Sequence, residues 1–255
     1  MVIPSFSLKG KVAIVTGGKR GIGKAICLSF AEAGADVATC SRAIEDGQLQ
    51  GVADEIQRLG RRSLAIQADV TQKTEVDNMV QRVMSEFGKI DILVNNAGIM
   101  VRKPLLELGE DEWDLTLDTN LKGYFLCSQA VGRVMVAQKQ GNIINIASEQ
   151  GFRALGGRGA YPVSKAGVLM LTSVLARELA DHNIRVNGIA PGFVKTDMNR
   201  TLRSDPKELK RLEAAIPLGR LAEPDDMVGA AIFLASDASS YMTGHTVVVG
   251  GGRIL

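Results

Sequence analysis

Tyr161-Pro162-Val163-Ser164-Lys165 sets a phenol and an ammonium four residues apart. On a helix such positions share one face, and Pro162 suits a first helical turn, where its missing N–H costs little. A phenol ordinarily titrates near 10, whereas a general acid or base works best near the operating pH. A nearby Lys ammonium favours tyrosinate. Lowering the phenol pKa by roughly 2–3 takes about 3–4 kcal/mol, within reach of a close charge in a low-dielectric pocket. Alone, the spacing is common on helix surfaces. Ser148 shifts the balance: it ends the apolar run Ile143-Ile144-Asn145-Ile146-Ala147, and Tyr161 opens the helix that follows. Both hydroxyls can converge on one carbonyl oxygen, although a serine there also suits a cap. Asn120 falls inside a long helical pattern, where Asn is a poor choice; that points to a kink or a buried polar role. Glu149 and Gln150, beside Ser148, can hydrogen-bond hydroxyls of a polar substrate. Arg102, Arg153 and Arg158 are candidate anion-binding groups.

A second constellation is Lys11–Gly23, KVAIVTGGKRGIG. An apolar β-branched run leads through a glycine-rich turn into a helical pattern. This geometry aims backbone N–H groups and a helix N-terminus at a phosphate. Gly17 turns the chain off the strand, Gly21 admits close approach of a pyrophosphate, and Gly23 lets the helix lie near the sheet. The glycines at 17, 18, 21 and 23 depart from the G-x-G-x-x-G fingerprint.

The elements that must position these groups alternate. Strands are expected at 12–15, 36–41, 63–67, 90–94, 142–147, 184–189 and 246–249. Helices are expected near 21–30, 44–59, 71–87, 110–138, 160–179 and 224–235. Alternation implies right-handed parallel crossovers. The fold class is α/β: a single-domain, Rossmann-type, doubly wound parallel sheet of about seven strands over residues 1–255, with helices on both faces. Residues 193–218 break the rhythm after a strand end, where open sheets bind ligands, and read as a substrate lid.

Composition narrows the function. A net charge of +2 with no basic tract gives no support for nucleic-acid binding. The three cysteines, Cys27, Cys40 and Cys127, sit in apolar contexts and read as core in a reducing compartment. His182 and His245 lack ligand-like companions, so no metal is expected. No apolar run is long enough to span a bilayer, and the first residues lack a signal-peptide pattern; a cytoplasmic protein is expected.

Thr16–Gly23, Asn95-Asn96-Ala97-Gly98, Asn120, Ser148, Tyr161-x-x-x-Lys165 and Pro191-Gly192 together resemble the short-chain dehydrogenase/reductase family, in its order and spacing. The match runs from about Leu8 to Val249. The resemblance implies a catalytic tetrad. Tyr161 is the proton donor or acceptor. Lys165 lowers its pKa and holds the nicotinamide ribose. Ser148 polarises the carbonyl, and Asn120 holds a water in a relay to Lys165. It also implies cofactor contacts from Gly17, Gly21, Ile22, Gly23, Val70, Ala97, Gly98, Pro191 and Gly192, with Asn96 bracing the sheet, Asp69 meeting the adenine, and Val194 and Thr196 touching the carboxamide. The substrate site is expected to comprise Ser148, Glu149, Arg153 and Tyr161. A homotetramer is implied, with helices 110–138 and 160–179 at one interface. One departure is that the family often carries Asp or Asn before its final Gly-Gly pair, whereas here Val249 leads into Gly250-Gly251-Gly252.

Charge selects the cofactor. An NAD site wants a carboxylate at the end of the second strand; an NADP site wants an arginine. Here that strand ends Cys40-Ser41-Arg42, with Asp36 at its far end. Arg20 and Arg42, with Ser41 and more weakly Lys19, are expected to flank a 2′-phosphate, giving NADP(H) preference with NAD(H) possible. Two substrate classes compete. Residues 195–221 are similar to 3-oxoacyl-[acyl-carrier-protein] reductases, the leading expectation; the N-terminal stretch and Ser41-Arg42 are similar to gluconate 5-dehydrogenases. A catalytically silent NADP-binding scaffold is the minority reading.

Overall fold

The computed structural model describes residues 5–254; the expectation for the extreme N-terminus falls partly outside them. Seven strands form one sheet: β1 (Val12–Thr16), β2 (Asp36–Ser41), β3 (Ser63–Gln67), β4 (Ile92–Asn95), β5 (Gly141–Ile146), β6 (Ile184–Pro191) and β7 (Thr246–Val249). Their order is β3-β2-β1-β4-β5-β6-β7, and every pairing is parallel. The order reverses between β1 and β4, so a crevice opens there at the carboxyl edge.

Alternation along β1 feeds two cores. Val12 and Ile14 pack on one face with α3 (Lys73–Phe87) and α5 (Gly123–Gln138) through Val76, Met79, Cys127 and Val131. Ala13 and Val15 pack on the other with α1 (Gly21–Glu32), α2 (Gln48–Arg58) and α9 (Val228–Ala235) through Ile26, Phe30, Val52 and Leu234. A strand buried on both faces reads as an unbroken apolar run for this reason. The three cysteines are buried and unbridged.

Two expected helices differ. The pattern from Ile44 starts late, because Gly47 takes φ +69° and Lys19 binds the Ala43 carbonyl and Asp46 across the preceding loop. The stretch 110–138 is interrupted: α4 (Glu110–Leu117) passes through a π-helical turn at Asp118–Lys122 before α5. Asn120 sits mid-turn and fully buried. Its amide exchanges hydrogen bonds with the Ile99 main chain, Oδ1 accepting from N–H at 2.8 Å and Nδ2 donating to the carbonyl at 2.9 Å. A π turn swings a side chain off the regular face, as often occurs at functional sites.

The 193–218 segment is largely helical, with α7 (Arg200–Arg203) and α8 (Pro206–Ala214). Phe193, Leu212, Ile216 and Leu221 close a small core of their own. The remaining helix, α6 (Tyr161–Leu179), crosses from β5 to β6. Among the described residues no helix is long and apolar enough to cross a membrane.

Candidate active site

A cleft of about 540 Å³ runs along the carboxyl edge, from the β1–α1 turn past β4 to the ends of β5 and β6. Every residue expected to touch a cofactor lines it, from Gly17 through Arg42, Asp69 and Asn96 to Thr196.

At one end lies the glycine turn. Gly17 has φ +66°, a conformation side chains rarely adopt. A Cβ on Gly23 would stand 2.4 Å from the Gly17 carbonyl oxygen and 2.5 Å from Asn96 Nδ2, so only glycine lets α1 start this close to β1. Asn96 braces the turn by donating to the carbonyls of Thr16 at 2.9 Å and Gly17 at 3.1 Å. Thr16 Oγ1 accepts from the Asn96 and Ala97 N–H groups. The first N–H groups of α1 have no intrahelical acceptor and face the cleft, which suits a pyrophosphate. The turn therefore fits a dinucleotide.

The cations beside it are not equivalent. Lys19 is bound to Asp46 at 2.8 Å, and Arg20 to Asp197 at 3.0 Å across the cleft mouth. Arg42 is well exposed, with Asp69 only at 3.9 Å. Asp36 is at the opposite edge, paired with Arg61 and Arg62. The residue that follows β2 is thus a cation, Arg42, rather than a carboxylate.

At the other end Ser148, Tyr161 and Lys165 converge. Ser148 leaves β5 extended and caps the following turn, its Oγ accepting from the Gln150 N–H at 3.1 Å. Cap and site residue are thus one. Lys165 Nζ donates to the Ile146 carbonyl at 2.7 Å and the Tyr124 hydroxyl at 3.3 Å. Tyr124 and Ile146 were not legible as its partners from any motif.

Burial sets the protonation, and it corrects one expectation. Lys165, 3% exposed, is pushed down to about 7 by loss of hydration, with no carboxylate to oppose it. Tyr161 is raised rather than lowered: burial dominates, the Ser148 hydrogen bond opposes it, the Glu149 charge adds to it and the Arg102 charge subtracts. Desolvation disfavours whichever form is charged, so it moves a phenol and an amine in opposite directions. The cation acting on Tyr161 is Arg102, which lines the cleft and whose own pKa burial lowers.

Three further expectations are placed differently. Asn120 does not line the cleft; both its amide hydrogens are committed, to Ile99 and to Ser164 Oγ at 3.1 Å. Glu149 is 1% exposed, ion-paired to Arg253 and outside the cleft lining. Arg153 is exposed and outside the cleft lining. Gln150 does line the cleft, buried, with Oε1 accepting from no described donor. The missing acid near the C-terminus also finds its place: a Cβ on Gly250 would lie 3.3 Å from Glu149 Oε2, so a carboxylate from the turn after β5 occupies the space beside the final glycines.

Known proteins resemble this chain over nearly its whole length. A family model described as Enoyl-(Acyl carrier protein) reductase matches residues 17–253. The 3-oxoacyl-[acyl-carrier-protein] reductase FabG of Staphylococcus epidermidis is 45% identical over 96% of this chain and 99% of its own. The 2-dehydro-3-deoxy-D-gluconate 5-dehydrogenase of Pseudoalteromonas atlantica is 42% identical over 98% of each. A gluconate 5-dehydrogenase from Burkholderia cenocepacia, solved in complex with NADP and tartrate, superposes with a TM-score of 0.93 at 37% identity over 98% of each chain. The chain belongs to the short-chain dehydrogenase/reductase family and is an oxidoreductase acting between CH–OH groups and carbonyls.

Proposed function

We propose that this chain is an NADP(H)-dependent enzyme that interconverts a carbonyl and a secondary alcohol. The observation that carries the reading is the convergence of the Ser148 and Tyr161 hydroxyls and the Lys165 amine at one end of a cleft whose other end is a phosphate-shaped glycine turn. Bound in that cleft, the nicotinamide group supplies or accepts the hydride. The protein does the rest. Ser148 donates to the carbonyl oxygen. Tyr161 delivers a proton to that oxygen during reduction and removes it during oxidation. Lys165 holds the nicotinamide ribose. In its ammonium form Lys165 favours tyrosinate. Asn120 fixes Ile99 against Ser164, the neighbour of Lys165, and its relay role requires a water beside that amide. Arg42 is the cation best placed for a 2′-phosphate, because Lys19 and Arg20 are already paired.

Two substrate classes fit. Similarity to the acyl-carrier-protein reductase supports a 3-oxoacyl thioester. The cleft itself favours the second, a sugar acid. Arg102 offers a positive charge close to Tyr161, and the buried Oε1 of Gln150 offers an unused acceptor for a hydroxyl. The segment 193–218 is proposed as the substrate lid, held to the glycine turn by Arg20–Asp197. Exposed Phe125 on α5 and Val163, Met170 and Val174 on α6 support a homotetramer built on those helices, which light scattering checks.

Nicotinamide absorbance tests the function on two arms: acetoacetyl-coenzyme A with NADPH, and gluconate with NADP⁺. Fast consumption in the first assigns a thioester reductase. Turnover confined to the second assigns a sugar-acid dehydrogenase. Failure to bind NADPH refutes the cofactor assignment.

A further inference from the structure

The carboxylate of Glu149 and the guanidinium of Arg253 meet outside the cleft lining, joining residues far apart in sequence. Their side chains are 2% and 14% exposed. Glu149 directly follows Ser148, and its main-chain carbonyl accepts from the N–H groups of Phe152 and Arg153. Its Oε2 points at two glycines: a Cβ on Gly192 would stand 3.1 Å away, and one on Gly250 3.3 Å away. Arg253 lies over the Phe193 ring, 4.3 Å from its centroid. Gly251 accepts from the Leu218 N–H at 3.2 Å and packs on Ile216. The pair therefore touches three things at once: the Ser148 turn, the root of the 193–218 segment and the C-terminal turn.

A buried carboxylate whose charge raises the pKa of a phenol that must ionise is harmful unless neutralised. Buried charges are paired for this reason, and deleting one partner leaves the other uncompensated. We propose that Glu149 and Arg253 are positioning residues: together they fix the Ser148 turn against the C-terminal turn, and Arg253 balances the Glu149 charge so that Tyr161 can ionise. The other charged groups facing this region are Arg153, whose charge acts on Glu149, and Arg102 and Lys165, which face Tyr161. The inference deepens the reading of Tyr161 as the proton-transfer group and rests on it.

The test is a tyrosinate absorbance titration of the NADP⁺-loaded protein, which needs no turnover. The chain has three tyrosines, so subtracting each variant's Tyr161→Phe counterpart isolates Tyr161. Arg253→Met is expected to move the Tyr161 titration up by about one pH unit, and Glu149→Gln to move it down, the size of one nearby charge at intermediate dielectric. The double variant E149Q/R253M returns close to the parent, and Arg253→Lys keeps the parent value. The alkaline limb of kcat/KM for alcohol oxidation follows the same order. If Arg253→Met fails to fold, Glu149→Gln and the double variant still decide. A titration that Glu149→Gln leaves unmoved, or a double variant displaced as far as Arg253→Met, overturns the proposal. Full activity in Tyr161→Phe, by contrast, overturns the underlying reading while leaving the titration order to be judged on its own.

Discussion

Replacing Lys165 with Met should change how stability depends on pH. Nζ is buried and reaches only two neutral oxygens, those of Ile146 and Tyr124. Loss of hydration lowers its pKa from 10.5 to about 7. The folded value lies below the unfolded one, which fixes the sign. Between pH 7 and 10.5 the unfolded chain binds a proton that the folded chain does not, so this group makes stability rise with pH. Below pH 7 both states hold the proton and the full burial penalty applies. Each decade in proton affinity is worth about 1.4 kcal/mol, so the fall from the ordinary value corresponds to roughly 5 kcal/mol, and titration across pH 7 to 9 recovers about 2 kcal/mol of it. Lys165→Met fills similar space without the charge. Urea unfolding of both proteins at pH 7, 8 and 9, at one protein concentration, measures the difference. The Met protein should be the more stable at pH 7, and its advantage should shrink by about 2 kcal/mol by pH 9. A difference that stays constant over those pH values would show that Lys165 keeps an ordinary pKa and that the desolvation argument is wrong.

Tyr161→Phe removes the proton donor while keeping the ring; turnover should fall by about 10²–10⁴-fold, the usual worth of a general acid or base, with NADPH affinity unchanged by fluorescence titration. Gly23→Ala places a methyl 2.4 Å from the Gly17 carbonyl oxygen; overpacking of this kind typically costs about 1–3 kcal/mol, so calorimetry should show weaker NADPH binding and a lower Tm, and a wild-type Kd would refute the cradle. Arg42→Asp puts an anion where the 2′-phosphate is expected; the ratio of kcat/KM for NADPH over NADH should fall by at least about tenfold, one decade being about 1.4 kcal/mol, and an unchanged ratio would remove Arg42 from the cofactor site.

Much of the site was legible because its signals are local. A strand, a glycine turn and a helix are contiguous from Val12 to Glu32, and the i, i+4 spacing of Tyr161 and Lys165 needs only one helix. Ser148 was placed by the end of β5. What escaped depends on partners distant in sequence. Nothing near Glu149 announces that Arg253, at the opposite end of the chain, will bury it; adjacent to Ser148 it reads as a substrate contact. Lys19 and Arg20 read as phosphate ligands until Asp46 and Asp197 arrive from other loops. At Asn120 the sequence signalled a kink or a buried polar role, and both are found; the π form itself escaped because apolar periodicity reports which face is buried, not whether the backbone closes on the fourth or the fifth residue.

The least legible property is the one on which the chemistry turns. Spacing alone puts an ammonium beside a phenol and suggests that the first lowers the pKa of the second. Burial acts on both at once and with opposite sign, raising Tyr161 and lowering Lys165. Burial thus disfavours the charged form of each partner, the tyrosinate and the ammonium alike. An ammonium at Lys165 favours tyrosinate by its charge alone, so in the proposed mechanism proton transfer depends on how Lys165 is protonated. That transfer requires the surrounding fixed charges to cancel, which is why Glu149, whose charge raises the Tyr161 pKa, needs Arg253.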